Sequence, residues 1–304
     1  MSGKPPPENR GDHAPADSDD AGLKTKPRTL KVSIMRIVII IAATYLAICV
    51  LVYIFQARLI YFPSREYGCS PADVGLNYEP VALTTSDGLA LSAWYVGHDG
   101  AIGSAIFCHG NAGNISHRLA TIKALNRLMK LNVLVFDYRG FGQSEGRPSE
   151  PGLYKDAQAA WDYLTVTKAE PPERVVLIGR SLGGAVAIDL ASRHEPAALV
   201  VESTFASLIQ VARNHYGFLP AGLLLRHRYE SIDKIGRVRC PKLMFHSRDD
   251  SVVPFRQGEK LFEAAVEPKQ FIETPGEHND AGFLHSDEYT EKMRVFIDEV
   301  LHKS

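Results

Sequence analysis

One short segment constrains the fold of this chain more than any other. Residues 179–184 read Gly-Arg-Ser-Leu-Gly-Gly, directly after the apolar run 175–178 and directly before an apolar, helix-forming run that begins at Ala185. Small residues around a serine allow a strand and a helix to meet in a tight turn, with the serine in a strained backbone conformation. This is the pattern of a nucleophile elbow, and we therefore expect Ser181 to be a catalytic nucleophile.

The chain around this segment alternates strand-like and helix-like runs. Residues 81–85 and 89–96 predict an antiparallel pair of strands joined by a turn at 86–88. Further strands are predicted at 105–108, 133–136, 175–178, 198–201, 243–245 and 270–272, and helices at 115–130, 152–165, 182–193, 255–265 and near 287–301. Strands that alternate with helices predict an α/β fold whose parallel sheet has helices on both faces.

The N-terminal region has a different character. Residues 1–30 are rich in proline and charge and poor in large apolar side chains, so we expect a disordered tail. Residues 37–55 are 19 consecutive uncharged residues, which is long enough for one membrane crossing and predicts a transmembrane signal-anchor helix over 31–57. A buried soluble helix would carry a polar stripe, and a cleavable signal would end in a small-x-small site, which is missing after Phe55.

Basic residues flank this segment unevenly. Those that precede it are Lys24, Lys26, Arg28, Lys31 and Arg36, and those that closely follow it are Arg58 and Arg65. The positive-inside rule then predicts a cytoplasmic N-terminus and an extracytoplasmic domain over 58–304. In a bacterial cell the anchor would lie in the inner membrane, with the domain facing the periplasm.

Composition excludes some classes of function. The chain has 34 Lys and Arg against 35 Asp and Glu, a formal net charge of −1, so it lacks the basic surplus with which proteins bind nucleic-acid phosphates. The cysteines are far apart, without a C-x-x-C pair: Cys49, Cys69, Cys108 and Cys240. We therefore predict free thiols, and neither a metal site nor a cofactor.

A serine nucleophile needs a base, and an acid that orients the base. His278 lies in a polar loop directly after the last predicted strand, whereas His285 and His302 fall in or beside the terminal helix, so we predict that His278 is the base. For the acid we prefer Asp250, which follows the preceding strand. Its neighbour Asp249 and Glu202, at the end of an earlier strand, remain alternatives.

Acyl transfer also needs N–H donors for the developing oxyanion. The amide of Leu182 follows the nucleophile, and the glycine-rich loop 108–114 supplies a second amide, for which we prefer Asn111 over its neighbour Ala112. Such a loop can also bind phosphate, but the chain has neither a Walker lysine nor a Gly-x-Gly-x-x-Gly motif. We expect the glycine-containing loop 137–146 to support the oxyanion loop rather than to contact substrate.

Residues 204–236 interrupt the alternation of strands and helices. This segment is apolar and helix-like, with Phe205, Tyr216 and Phe218 among its large side chains. It fits either a packing helix or a cap beside an active-site cleft.

These motifs together resemble the α/β-hydrolase superfamily, and within it the membrane-anchored Bem46-like hydrolases and related α/β-hydrolase-domain proteins. The resemblance covers about 58–302, and the run 56–63 after the anchor is similar to that of bacterial members. It implies an eight-stranded, mostly parallel sheet with an antiparallel second strand, and a Ser181–Asp250–His278 triad. Ser247 departs from the pattern, because many members have glycine after the histidine.

The resemblance implies hydrolysis of esters or thioesters without a cofactor. We therefore expect a single-pass membrane serine hydrolase whose substrate is a small-molecule or lipid-like ester. A serine peptidase, an acyltransferase and an inactive membrane-anchored interaction module remain alternatives. Epoxide hydrolases and dehalogenases are disfavoured, because they have aspartate where this chain has Ser181.

Overall fold

A computed structural model of the chain describes residues 1–4, 27–280 and 282–302. It divides into two units, 1–48 and 49–304. Most of the predicted disordered tail, residues 5–26, lies outside the described residues. The first helix, α1 (Pro27–Ile60), contains the whole predicted anchor 31–57 and begins four residues before it.

Helix α1 is apolar along most of its length, and many of its large side chains are exposed, such as Ile40 (64%) and Leu46 (65%). Its segment Lys31–Ile60 is long and apolar enough, by length and composition, to cross a membrane. Within the described part of the chain it is the one helix that meets this criterion.

Within the described residues of the second unit, eight strands form one sheet. In chain order they are β1 (Glu79–Thr84), β2 (Ala90–Val96), β3 (Gly103–Cys108), β4 (Leu131–Phe136), β5 (Val175–Arg180), β6 (Ala198–Glu202), β7 (Lys242–Ser247) and β8 (Lys269–Thr274). Across the sheet the order is β1-β2-β4-β3-β5-β6-β7-β8, and β2 is antiparallel to both neighbours while all other pairs are parallel. This confirms the predicted eight-stranded, mostly parallel sheet with an antiparallel second strand.

Helices cover both faces of the sheet, as predicted. They are α2 (Leu119–Arg127), α3 (Glu150–Asp162), α4 (Leu182–Ala191), α8 (Phe255–Ala264) and α9 (Asp287–Leu301). Side chains of β3 alternate between the faces, so Ile106 packs in the core with α3, α4 and α8, whereas Phe107 packs in the core with α2 and α9. Every strand residue of β3 is therefore buried.

Two predicted helices have a different form from the one expected. The segment predicted as one helix over 115–130 begins with a 3-10 turn, Ile115–Arg118, because the side chain of Asn114 caps it by accepting a hydrogen bond from the amide of Ser116. It ends before Lys130, which has a left-handed backbone conformation with φ 51°. Helix α3 continues as a π-helical turn over Tyr163–Thr167.

The segment 204–236, which we call the cap segment, contains three short helices in its described residues: α5 (Leu208–His215), α6 (Ala221–Leu224) and α7 (Ile232–Ile235). It connects β6 to β7 and so interrupts the strand-helix alternation, as the sequence indicates. Some of its side chains are buried, such as Tyr229, while Leu223 is 85% exposed.

Candidate active site

Ser181 lies in the turn between β5 and α4. Its backbone has φ 53° and ψ −119°, a strained conformation for a residue with a side chain. Its amide donates to the carbonyl of Glu202 (2.8 Å), and its carbonyl accepts from the hydroxyl of Thr204 (2.8 Å). The turn also needs Gly183, because a Cβ atom there would stand 2.0 Å from the carbonyl oxygen of Cys108.

His278 and Asp250 meet Ser181 in one chain of hydrogen bonds. The Nε2 atom of His278 is 3.0 Å from the Oγ atom of Ser181, and its Nδ1 atom is 2.7 Å from the Oδ2 atom of Asp250. Each residue stands beyond the carboxyl end of a parallel strand, β5, β7 or β8, so the sheet topology brings them together. The arrangement can deprotonate a serine hydroxyl and hold the resulting imidazolium.

Asp250 is buried and held in one orientation. Its Oδ1 atom accepts hydrogen bonds from the amides of Val252 (2.9 Å) and Val253 (2.7 Å), which leaves Oδ2 for His278. Burial acts to raise the pKa of Asp250, but the hydrogen bond and charge of His278 outweigh it and the pKa lies below its usual value. The carboxylate is therefore ionised at neutral pH.

The two alternative acids do not contact His278. Asp249 is exposed, and its amide donates to the hydroxyl of Ser247 (3.0 Å). Glu202 is buried and accepts a hydrogen bond from the amide of Phe283 (2.7 Å). Burial raises the pKa of Glu202, against the lowering effect of Arg180.

The glycine-rich loop after β3 lies against Ser181. Gly110 approaches it so closely that a Cβ atom on Gly110 would be 3.8 Å from the Cβ atom of Ser181. The next residue, Asn111, is fixed by its side chain, which donates to the carbonyl of Ile60 (2.8 Å), and by its carbonyl, which accepts from Phe62 (2.9 Å). Leu182 begins α4, where helical amides lack partners within the helix.

Loop 137–146 contacts the glycine-rich loop and the 3-10 turn that follows it. The Oδ1 atom of Asp137 accepts from the amide of Ile115 (3.0 Å), and the hydroxyl of Tyr138 donates to the carbonyl of His109 (3.0 Å). Burial raises the pKa of Asp137 to about 7, although Tyr67 donates a hydrogen bond to its carboxylate. These contacts fit the supporting role expected for this loop.

A cavity of about 470 Å³ opens beside Ser181 and His278. It is bordered by the glycine-rich loop, by residues after β8 and by three basic side chains, His117, Arg118 and Arg180. Arg118 has no local sequence signal that distinguishes it from a surface arginine. Arg118 follows β3 and Arg180 ends β5, and the parallel pairing of these two strands brings both side chains to the same cavity.

Comparisons with known proteins agree with this fold. A family model for the α/β hydrolase fold matches residues 106–218. The chain is 41% identical over 266 residues to the uncharacterized protein Rv2307c of Mycobacterium tuberculosis, covering 86% of this chain and 94% of that protein. It is 33% identical over 271 residues to the alpha/beta hydrolase domain-containing protein WAV2 of Arabidopsis thaliana, covering 81% and 88%.

Solved structures share the fold at lower identity. The esterase Pf2001 of Pyrococcus furiosus superposes with a TM-score of 0.67 at 22% identity, over 79% of this chain and 99% of that chain. The esterase domain of a Rhodothermus marinus protein superposes with a TM-score of 0.55 at 22% identity, over 74% and 99%.

Proposed function

The chain belongs to the α/β-hydrolase superfamily, and from that premise we propose that it is a membrane-anchored serine hydrolase of carboxylic esters or thioesters, with lipid-like esters among its candidate substrates. The observation that carries the proposal is the hydrogen-bonded chain from Ser181 through His278 to the buried Asp250. Esterases among the structural neighbours are consistent with this chemistry.

The proposed reaction has two steps. In the first, Ser181 attacks the ester carbonyl as His278 takes its proton, and His278 then gives that proton to the departing alcohol or thiol. In the second, His278 activates water, which releases the acid from the acyl-enzyme and restores Ser181. Asp250 keeps the Nδ1 proton of His278 in place and stabilises the imidazolium.

The amides of Asn111 and Leu182 are the proposed donors to the oxyanion. The hydrogen bonds of Asn111 to Ile60 and Phe62 hold its loop rigid, so its amide needs no reorganisation during the reaction. The start of α4 adds the positive end of a helix dipole at Leu182. Loss of one such donor costs about 10²- to 10³-fold in kcat.

We propose that α1 spans the membrane once, with the N-terminus in the cytoplasm and the catalytic unit outside. Length and apolar composition support the span, and the excess of basic residues before it supports the orientation. A reporter fused after the C-terminus tests this orientation. Alkaline phosphatase, which is active only outside the cytoplasm, should be active there, and activity of a cytoplasm-only reporter would contradict it.

Labelling with a fluorophosphonate probe tests the nucleophile. The full chain in detergent should be labelled, and Ser181→Ala should lose the label, whereas Ser192→Ala, at the other end of α4, should keep it. Equal labelling of wild type and Ser181→Ala would overturn the assignment. Loss of ester hydrolysis in the same variant is expected to follow.

A substrate panel then separates the proposed hydrolase from its rivals. It contains p-nitrophenyl esters of graded chain length, a thioester and a peptide anilide. Preference for the anilide would favour a peptidase, and transfer of the acyl group to an added alcohol in place of water would favour an acyltransferase. Absence of turnover on every substrate, together with absence of labelling, would favour the inactive interaction module.

A further inference from the structure

The cavity beside Ser181 has an excess of positive charge. Arg118, Arg180 and His117 border it, and among the described residues that line it Asp280 is the one acidic residue. Within the described residues, neither arginine forms an ion pair with a carboxylate, although buried Arg139 pairs with both Asp156 and Asp87. Arg118 and Arg180 thus lack the direct carboxylate partners that Arg139 has.

Arg118 has unused hydrogen-bonding capacity. Its Nη2 atom donates to the carbonyl of Ala112, while its Nε atom is buried and has no partner. A buried donor without a partner carries a desolvation cost that a bound acceptor would offset. Burial lowers the pKa of Arg118, and the charge of Arg180 lowers it further.

The acceptors of Arg180 among the described residues are neutral carbonyls. Its Nη2 atom bonds the carbonyls of His278 (3.0 Å) and Asn279 (2.7 Å), so its charge is not neutralised by them. Glu202 lies within electrostatic range of Arg180 but forms no ion pair with it, and burial raises the pKa of that carboxyl. Two like charges thus face one small cavity, an arrangement that an anion would stabilise.

We propose that this cavity binds an anionic group of the ester substrate, a carboxylate or a phosphate, with Arg118 and Arg180 as its partners. The inference rests on the proposed hydrolase function, because it names the class of substrate that Ser181 would attack. Guanidinium groups form paired, charge-assisted hydrogen bonds with the planar oxygens of carboxylates and with phosphates. The anion would fix the ester beside Ser181 and select charged esters over neutral ones.

Matched pairs of substrates test this selection. For an anion in the acyl part, the pair is mono-p-nitrophenyl glutarate, which has a free carboxylate, and methyl p-nitrophenyl glutarate, in which that carboxylate is a methyl ester. For an anion in the leaving group, the set is 4-butanoyloxybenzoate, its methyl ester and 4-butanoyloxyphenyl phosphate. We expect wild type to have the higher kcat/KM for the anionic member in at least one set, and the set identifies where the anion binds.

Arg118→Gln is the decisive variant, and Arg127→Gln is its control. Arg127 ends α2, is exposed, and in the described part of the chain its side chain bonds the carbonyl of Gly75. Arg127→Gln therefore removes the same charge away from the cavity. In Arg118→Gln the anionic-to-neutral ratio of kcat/KM should fall about 10- to 100-fold, with partial recovery in Arg118→Lys. Arg127→Gln should keep the wild-type ratio.

A structural role of Arg118 gives a different result. If it only holds the carbonyl of Ala112, Arg118→Gln would lower kcat/KM for both members of each pair equally, and the proposal would be wrong. Wild-type preference for the neutral member of every set would also overturn it.

Binding of inorganic phosphate separates this inference from the proposed function. We expect phosphate, compared with chloride at equal ionic strength, to raise the melting temperature of wild type and of Ser181→Ala, but not of Arg118→Gln. Phosphate binding without any ester hydrolysis would contradict the proposed function and support the anion site. Ester hydrolysis without a phosphate effect or an anionic preference would support the proposed function and contradict the anion site.

Discussion

The catalytic edge and the cap segment are built differently, although both lie on the same unit. By catalytic edge we mean the loops that carry the proposed catalytic residues Asn111, Ser181, Asp250 and His278. All four residues follow the ends of parallel strands directly or within a few positions, and Asp250 and His278 are buried. The cap segment instead has short helices and strongly exposed side chains, such as Leu223 (85%).

The cap segment depends on polar contacts with distant parts of the chain. Glu150 accepts hydrogen bonds from the amides of Arg228 (2.6 Å) and Tyr229 (3.0 Å). The hydroxyl of Tyr61 is 2.7 Å from that of Tyr229. Sheet topology therefore positions the proposed reacting groups, whereas long-range hydrogen bonds and a few buried side chains position the cap segment.

The largest effect is expected at the acid of the catalytic edge. Asp250→Asn should lower kcat by about 10⁴-fold with little change in KM, because the neutral amide holds His278 in the wrong tautomer. Steady-state hydrolysis of a p-nitrophenyl ester measures both constants. Circular dichroism and thermal unfolding check that the variant is folded.

Asp249→Asn is the matched control for this experiment. Its side chain is exposed, and the partner of His278 is Asp250, so kcat should stay within about threefold of wild type and stability within about 0.5 kcal/mol. Glu202→Gln should likewise retain the triad. A loss in either variant as large as that in Asp250→Asn would reassign the acid.

The position of the catalytic edge follows from sequence patterns more readily than the contacts of the cap segment, for a physical reason. Periodicity and turn residues locate the strands, and their order in the chain places Ser181, Asp250 and His278 at one edge. The choice between Asp250 and Asp249 needs the backbone, because the two residues have the same chemistry. The meeting of Arg118 with Arg180 also lacks a local signal, as do the cap contacts, since long-range pairing determines them.

Asp137, in the loop 137–146 that contacts the catalytic edge, should make the stability of the protein depend on pH. Burial raises the pKa of Asp137 to about 7, whereas an unfolded aspartate ionises near pH 4. Between these values the unfolded chain binds fewer protons than the native one, so this group makes wild-type stability fall as pH rises, by about 1.4 kcal/mol per pH unit. Below pH 4 the contribution is fully present, and it is lost as pH rises through 7.

Asp137→Asn removes this titration. Its free energy of unfolding, measured by denaturant at pH 5 and pH 7, should rise relative to wild type by about 2–3 kcal/mol over that interval. Asp99→Asn, at a position in a surface turn, should show no such change. A pH-independent difference between wild type and Asp137→Asn would contradict the raised pKa.

Replacement of one glycine by alanine in each region compares how tightly the two regions are packed. In Gly183→Ala the new methyl would meet the carbonyl oxygen of Cys108 at 2.0 Å, and the backbone shift should destabilise the fold by about 1–3 kcal/mol. In Gly217→Ala, within the cap segment, the methyl would be 3.5 Å from the carbonyl oxygen of Arg213, an ordinary contact. Thermal unfolding should therefore resolve the first change but not the second, and similar losses would contradict the difference in packing.

The smallest expected effect is at Gln56, which is 1% exposed. Its Nε2 atom donates to the carbonyl of Leu224 (3.3 Å), and its Oε1 atom accepts from the amide of Arg226 (2.7 Å). Gln56→Leu leaves these backbone groups unpaired, at a cost of about 1–2 kcal/mol. Limited proteolysis should cut the cap segment faster, while fluorophosphonate labelling of Ser181 stays near the wild-type rate.

The control is Gln270→Leu, an exposed change in β8, which should alter neither rate. If Gln56→Leu slows labelling as strongly as Asp250→Asn, the cap segment is part of the catalytic geometry, and the two regions are not independently built.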